Sequence, residues 1–196
     1  MTVLVGILLA GGLSRRYGSP KAFAELEGEL FYERAYNALA AVCDDVVIIS
    51  RPELMERFSS DAEVVTDLDW IEGQGPLAGI LSGMVAKRAD KYFVLPCDMP
   101  YVGPAETARL LDLADNASDI TALWNTVGKI PLFSIWDKRV KEQLQQELEA
   151  GQFRVMKFME KVATEWIDSS EIHEEPLVFR NVNQPDDQMR GWQNGH

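Results

Sequence analysis

Short runs of β-branched and aliphatic residues alternate with longer stretches of helical periodicity at least four times along this chain. Val3–Leu9 is a continuous apolar run that ends at Gly11-Gly12, the signature of a strand buried on both faces. Val46–Ser50, Glu63–Thr66 and Tyr92–Leu95 repeat that pattern. Ile120–Trp124, Leu132–Ile135, Ala163–Ile167 and Leu177–Arg180 are later strand candidates. Between them, Phe31, Ala35, Leu39 and Val42 fall at helical spacing. So do Leu77, Leu81, Met84 and Val85 after Pro76, and Leu110, Leu111 and Ala114 after Pro104. Val140, Leu144 and Leu148 define another helix, and Glu53–Phe58 and Phe153–Met159 suggest short ones. Parallel strands need crossovers, and crossovers are right-handed. The pattern predicts a doubly wound, mostly parallel α/β sheet with helices on both faces, over one domain spanning residues 1–196.

Charge and residue inventory narrow the function. Asp and Glu number 31 against 19 Lys and Arg, a net charge of −12 over 196 residues. A field of that sign repels polyanions, so broad binding to nucleic acid or a membrane surface is disfavoured. A small anion can still be held locally by a loop, a few cations and a metal. Two cysteines, Cys43 and Cys97, supply no disulfide framework, and two histidines leave little room for a His-based zinc site or triad. Val3–Ala10 is far shorter than the roughly 20 residues of a membrane helix. With no basic residue before it and two arginines after it, it does not read as a signal peptide. These features predict a reduced, cytoplasmic, soluble protein.

In a doubly wound sheet, ligands bind beyond the carboxyl ends of the strands. Leu9-Ala10-Gly11-Gly12-Leu13-Ser14-Arg15-Arg16-Tyr17-Gly18-Ser19-Pro20-Lys21 follows the first strand. Its glycines free the backbone for close approach, its N–H groups can cradle phosphate, and Arg16 and Lys21 add cations. It is neither a Walker A loop nor a GxGxxG turn, since Ala22 follows the lysine and Leu13 stands at the second glycine position. Asp67 follows the third strand, where a turn or cap role is the commoner fate of an aspartate and ligand binding the alternative. Asp98 sits in Pro96-Cys97-Asp98-Met99-Pro100, whose prolines hold Leu95 and Met99 extended. A carboxylate facing a phosphate site calls for a cation between them, and Mg²⁺ suits one carboxylate plus phosphate oxygens. Gly73, Gly75 and Gly79 surround a helix start, which favours anions or tight helix–sheet packing. Asn181 and Asn183 offer amides and oxygens to a metal, phosphate or pterin, or form an Asx turn ahead of a short helix from Pro185. Cys97 has no histidine near it in sequence and reads as a packing residue, and His173 as a surface residue.

Together these motifs resemble the molybdenum cofactor guanylyltransferases (MobA), of the nucleotide-diphospho-sugar transferase-like superfamily. The resemblance rests on LAGGLSRRYGSPK, on Asp67 upstream of GPLAG, on PCDMP and on RNVNQPDD, in family order over nearly the whole chain. It implies a Rossmann-like nucleotidyltransferase fold. It also implies that Leu9, Ala10, Gly11 and Gly12 hold a guanine nucleotide, with Gly75 and Asp67 beside it. Lys21 and Arg16 would contact its phosphates, Asp98 would bind Mg²⁺, and Asn181 and Asn183 would lie at the molybdopterin end. Tyr17 replaces the family's usual Met, the loop before Lys21 is one residue shorter than in some members, and Gln184 replaces a common Thr. Ser50-Arg51-Pro52 stands where many members carry an Asn used on the nucleotide.

The implied reaction is transfer of GMP from GTP to the terminal phosphate of molybdopterin, releasing pyrophosphate. Lys21, Arg16 and Asp98 would carry it by positioning and charge neutralisation. An anionic phosphate nucleophile needs no general base, in keeping with the scarcity of histidine. The implied partners are these two small molecules, with transient contact to molybdopterin-supplying proteins and molybdoenzymes. A molybdopterin cytidylyltransferase or a nucleotide-sugar transferase would share the motifs. A non-catalytic nucleotide sensor or docking module would not need both Lys21 and Asp98.

Overall fold

The structure, a computed structural model, describes residues 2–12, 18–59, 61–183 and 187. In chain order the strands are β1 Leu4–Leu9, β2 Glu25–Leu26, β3 Glu29–Leu30, β4 Asp45–Ile49, β5 Glu63–Val65, β6 Lys91–Pro96, β7 Ile120–Asn125, β8 Gly128–Asp137 and β9 Thr164–Asp168. The α-helices are α1 Phe31–Ala40, α2 Pro76–Ala86, α3 Pro104–Leu113, α4 Lys141–Glu149 and α5 Val155–Met159. Among the described residues seven strands form one sheet in the order β5-β4-β1-β6-β8-β7-β9. β8 runs against both its neighbours, while every other pairing in the sheet is parallel. The mostly parallel, doubly wound reading therefore holds, with one reversed strand.

The apolar run of β1 has a simple cause. Successive strand residues point to opposite faces. Leu4 and Leu8 join a core with Ala35, Ala38 and Leu39 of α1, whereas Val5 and Ile7 join one with Leu77, Ile80, Leu81 and Met84 of α2. Helices thus cover both faces, and each face demands its own apolar set. The glycines tune the approach. A Cβ at Gly6 would lie 3.1 Å from Leu39 Cβ, and one at Gly83 would lie 2.8 Å from Ile7 Cδ1. On the α2 side Trp136 of β8 stacks on Phe158 of α5, with ring centroids 5.7 Å apart.

Several local expectations differ from the structure. Leu177–Arg180 is not a strand, since Pro176–Phe179 forms a 3-10 turn started by its proline. Pro52–Arg57, which overlaps the Glu53–Phe58 stretch read as a short helix, is likewise 3-10. Val85, placed on the buried face of α2, is 45% exposed, while Ile80 is buried in its stead. The hairpin of β2 and β3 was not foreseen, because two-residue strands carry no periodicity. Its turn residues Glu27 and Gly28 both have positive φ, as a type I′ turn requires. The segment from Gln184 to Asp186, including the short helix expected from Pro185, lies outside the described residues.

Candidate active site

Because β5, β4, β1 and β6 are parallel, their carboxyl ends share one edge of the sheet, and the loops that leave them meet there. β1 delivers Ala10, Gly11 and Gly12, β4 delivers Ser50 and Arg51, β5 delivers Asp67, and β6 delivers Cys97 and Asp98. These residues line a cleft of about 830 Å³ together with Leu9, Lys21, Gly75, Asn181 and Asn183. Backbone hydrogen bonds hold the rim: Ala10 N–H donates to Ile49 O (2.8 Å) and Cys97 N–H to Leu9 O (3.0 Å).

Lys21 and Asp98 form the centre of the charge arrangement. Lys21 follows Pro20 into a short 3-10 turn over Lys21–Phe23. Its Nζ lies 2.8 Å from Asp98 Oδ2 and 2.8 Å from Asn183 Oδ1. The other carboxylate oxygen, Asp98 Oδ1, is buried and has no hydrogen-bond partner among the described residues. Asp98 O accepts from Val182 N–H at 2.8 Å, which docks the Asn181–Asn183 segment onto the end of β6. The late Asn pair therefore belongs to the site, although 162 positions separate Asn183 from Lys21.

Asp67 lies on the far side of β4 and accepts from Gly73 N–H at 3.0 Å through Oδ2. It serves as a turn anchor and also forms part of the cleft wall. Burial pushes its pKa above the usual carboxylate value, with a smaller push from Glu72, and the Gly73 N–H opposes them. Gly75 caps α2 at φ +89°, a conformation open to glycine but costly to other residues. Gly79 is explained by packing: a Cβ there would lie 2.9 Å from Leu9 Cδ2. At Gly12 a Cβ would meet nothing within 4 Å among the described residues beyond its chain neighbours. Cys97 is buried and its thiol pKa is raised, chiefly by burial and next by the Asp98 charge, which fits a packing role.

A second cleft of about 600 Å³ adjoins the first and shares Leu132, Asn181 and Asn183 with it. Its other walls include Met99, Lys129, Phe179 and Arg180. Between Ala122 and Leu123 the β7–β8 register shifts, so that Ala122 faces Ser134 and Leu123 faces Ile130. The skipped residues Pro131–Phe133 form a bulge, and Leu132 within it reaches both clefts. This wall had no sequence reading beyond a strand, although Pro131 inside a strand pattern is the signal for such a break. Arg16 lies outside the described residues. Among the described residues no group of three or more His, Cys, Asp or Glu side chains could enclose a metal.

Comparison with known proteins agrees with this geometry. The MobA-like NTP transferase domain matches residues 6–165. A probable molybdenum cofactor guanylyltransferase of Geobacillus sp. (strain WCH70) is 38% identical over 190 residues, covering 95% of this chain and 97% of the relative. Its counterpart in Bacillus subtilis (strain 168) is 35% identical, covering 93% and 92%. Among solved structures, molybdopterin-guanine dinucleotide biosynthesis protein A of Archaeoglobus fulgidus superposes with a TM-score of 0.79 at 23% identity, over 95% of this chain and 96% of that one. The 2-C-methyl-D-erythritol 4-phosphate cytidylyltransferase of Thermus thermophilus superposes at 0.70 with 13% identity, over 97% of each chain. The fold alone therefore does not choose the base, whereas the two sequence relatives named here share one name. The chain belongs to the MobA-like NTP transferase family, in its molybdenum cofactor guanylyltransferase branch.

Proposed function

We propose that this enzyme transfers GMP from GTP to the terminal phosphate of molybdopterin, yielding the guanine dinucleotide form of the cofactor and pyrophosphate. One observation carries the reading: Lys21, Asp98 and Asn183, from three distant parts of the sequence, converge where the glycine-lined cleft meets its neighbour. That junction suits two phosphorylated substrates brought end to end. The nucleotide takes the larger cleft, with its phosphates against Gly11, Gly12 and Lys21. The pterin takes the adjoining cleft, beside Asn181 and Asn183.

The terminal phosphate of molybdopterin attacks the α-phosphorus of GTP in line, and the bond to the departing pyrophosphate breaks. The nucleophile is already anionic, so the chain supplies no general base. Its work is to hold two anions together and to balance their charge. Lys21 donates to phosphate oxygens, and Asn183 keeps the ammonium aimed at the junction. Arg16, earlier in the same glycine-rich stretch of sequence, is the second cation of this reading.

Magnesium is part of the proposal. The Oδ1 of Asp98, buried and without a hydrogen-bond partner among the described residues, is a hard oxygen suited to it. The lack of a carboxylate cluster among the described residues fits an ion held by one protein ligand and by the substrate's own phosphates. When bound, the ion neutralises phosphate charge. Two unpaired cysteines support a cytoplasmic setting. No helix among the described residues is long and apolar enough to cross a membrane.

The test offers GTP, CTP and ATP with Mg²⁺ and molybdopterin to the purified protein and identifies the product by mass. The expected product is the guanine dinucleotide, with stoichiometric pyrophosphate. A cytosine dinucleotide would move the enzyme to the cytidylyl branch. Absence of pyrophosphate with every nucleotide would make it a non-catalytic module.

A further inference from the structure

Lys21, Asp98 and Asn183 belong to three separate segments, and the same segments meet a second time, at a small core. The chain after Lys21 runs through Ala24 into the β2–β3 hairpin, and Ala24 O accepts from Phe31 N–H at 2.8 Å. Ala24, Leu26, Phe31 and Val182 form this core, separate from the two on the faces of the sheet, with Tyr101 packed against it. Val182 is fully buried there, between Asn181 and Asn183 in sequence, and Tyr101 stands three residues after Asp98.

Four apolar side chains bury little area with which to fix three segments. A polar clamp assists them. Arg34 lies one turn after Phe31 on α1. Its Nε–H donates to Pro100 O at 2.9 Å, two residues beyond Asp98. Its Nη1–H donates to Leu26 O at 3.4 Å and to Glu29 Oε2 at 3.2 Å, with Glu27 Oε2 at 3.6 Å. One planar group thus ties the hairpin that follows Lys21 to the turn that follows Asp98. Glu27 and Glu29 are half exposed, and such ion pairs contribute little to stability. A charged donor on the carbonyl of buried Pro100 is the stronger anchor. Among the described residues Arg34 lines neither cleft.

We propose that Arg34 is a positioning residue for the transfer reaction. Its guanidinium fork holds the Lys21 segment against the Asp98 turn, and so keeps the ammonium and the carboxylate in register where the two clefts meet. A lysine has one ammonium and no fixed fork, so it cannot set both backbone segments at once. The reaction that Arg34 serves rests on the guanylyl reading above, whereas the clamp itself can be tested without any nucleotide.

The experiment compares wild type, Arg34→Met, Arg34→Lys and the Glu27→Gln/Glu29→Gln double variant by steady-state kinetics with GTP, Mg²⁺ and molybdopterin, and by amide hydrogen exchange on the free protein. Arg34→Met should lower kcat by about tenfold, inside the roughly 10²-fold that a misplacement of about 1 Å can cost. The KM for GTP should move by less than about threefold. Arg34→Lys should recover less than about half of the wild-type kcat. The double Gln variant keeps the bond to Pro100 O and should stay within about twofold of wild type. In a Lys21→Ala background Arg34→Met should cost no more than about a further twofold, since the group it positions is gone. A loss carried by KM alone, full kcat in Arg34→Lys, or a second tenfold loss in the Lys21→Ala background overturns the assignment. So does a tenfold loss in the double Gln variant, which also keeps the question decidable if Arg34→Met does not fold. In the exchange measurement the amides of Ala24 and Val182 should open about tenfold faster in Arg34→Met, with β1 unchanged. Equal acceleration everywhere would make Arg34 a merely structural residue, and no acceleration would remove the clamp. A wild type without turnover would sink the guanylyl reading, and the exchange rates would still decide the clamp.

Discussion

The ammonium of Lys21 lies 2.8 Å from one carboxylate oxygen of Asp98, across 77 positions of sequence, and the same ammonium takes the side-chain oxygen of Asn183. Both members of the ion pair are largely shielded, with side-chain exposures of 14% and 21%. Lys21, expected against the nucleotide's phosphates, is paired with Asp98 in the protein itself. Nucleotide binding must then share Lys21 between the carboxylate and the incoming phosphate.

Lys21→Ala and Asp98→Ala should each lower turnover by about 10²-fold or more, the usual cost of removing one preorganised charge-stabilising group. Circular dichroism should show the fold retained. The pair should behave as a unit, so the double variant should lose less than the product of the single losses. Near-normal turnover in either single variant contradicts the role given to that residue.

Asn183→Ala tests positioning separately from charge. The variant keeps Lys21 and Asp98 but frees the ammonium from one of its two named partners. Turnover should fall by about tenfold, less than on losing Lys21 itself. Asn183→Asp should retain more than Asn183→Ala if the carbonyl oxygen is what matters. A loss confined to the KM of molybdopterin, with kcat unchanged, would assign Asn183 to substrate contact only.

Asp67 carries a stability cost that its place in the cleft explains. Its folded pKa is raised by burial, so above that pKa the ionised group lowers the stability of the fold. Asp67→Asn should therefore raise Tm by about 2 °C at pH 7. The gain should fade as pH falls through the raised pKa, where the wild-type group protonates and stabilises the fold in its turn. Asn keeps an oxygen for Gly73 N–H. The same variant should bind nucleotide more weakly at pH 7, and a parallel loss of both stability and binding would contradict this account.

Gly83→Ala sets helix propensity against packing. Alanine gains about 0.8–1 kcal/mol over glycine in a helix interior. The added Cβ would meet Ile7 at 2.8, 2.9 and 3.0 Å, and Ile7 is fully buried in the sheet centre. Overpacking of this kind costs about 1–3 kcal/mol, so the net effect should be destabilising in a urea melt. A stabilised variant would show that α2 can shift away from β1 at little cost.

The strands β1, β4, β5 and β6 and the helices α1 to α4 were legible because burial on both faces writes a continuous apolar run into the sequence, and a one-sided helix writes a 3.6-residue period. That reading alone located the sheet edge where Gly11, Gly12, Asp67 and Asp98 would meet. The hairpin of β2 and β3 was illegible, because two-residue strands leave no period, and the bulge at Pro131–Phe133 had only Pro131 as its signal. Leu177–Arg180 has the apolar composition of a strand and folds as a 3-10 turn, since Pro176 sets φ and removes a donor.

From sequence alone came the identity of the chemical groups: a glycine loop with a lysine, a carboxylate between prolines and a late Asn pair, all fixed in type by what phosphate chemistry needs. The tertiary structure decided which atoms of these groups face one another. It placed Asn183 on Lys21, turned one oxygen of Asp98 to the ammonium and left the other bare, and buried Ser50 and Arg51 with unanswered polar atoms. Such pairings depend on strand order and on side-chain packing between segments far apart in the chain. Periodicity records only whether a residue is buried, and not against whom.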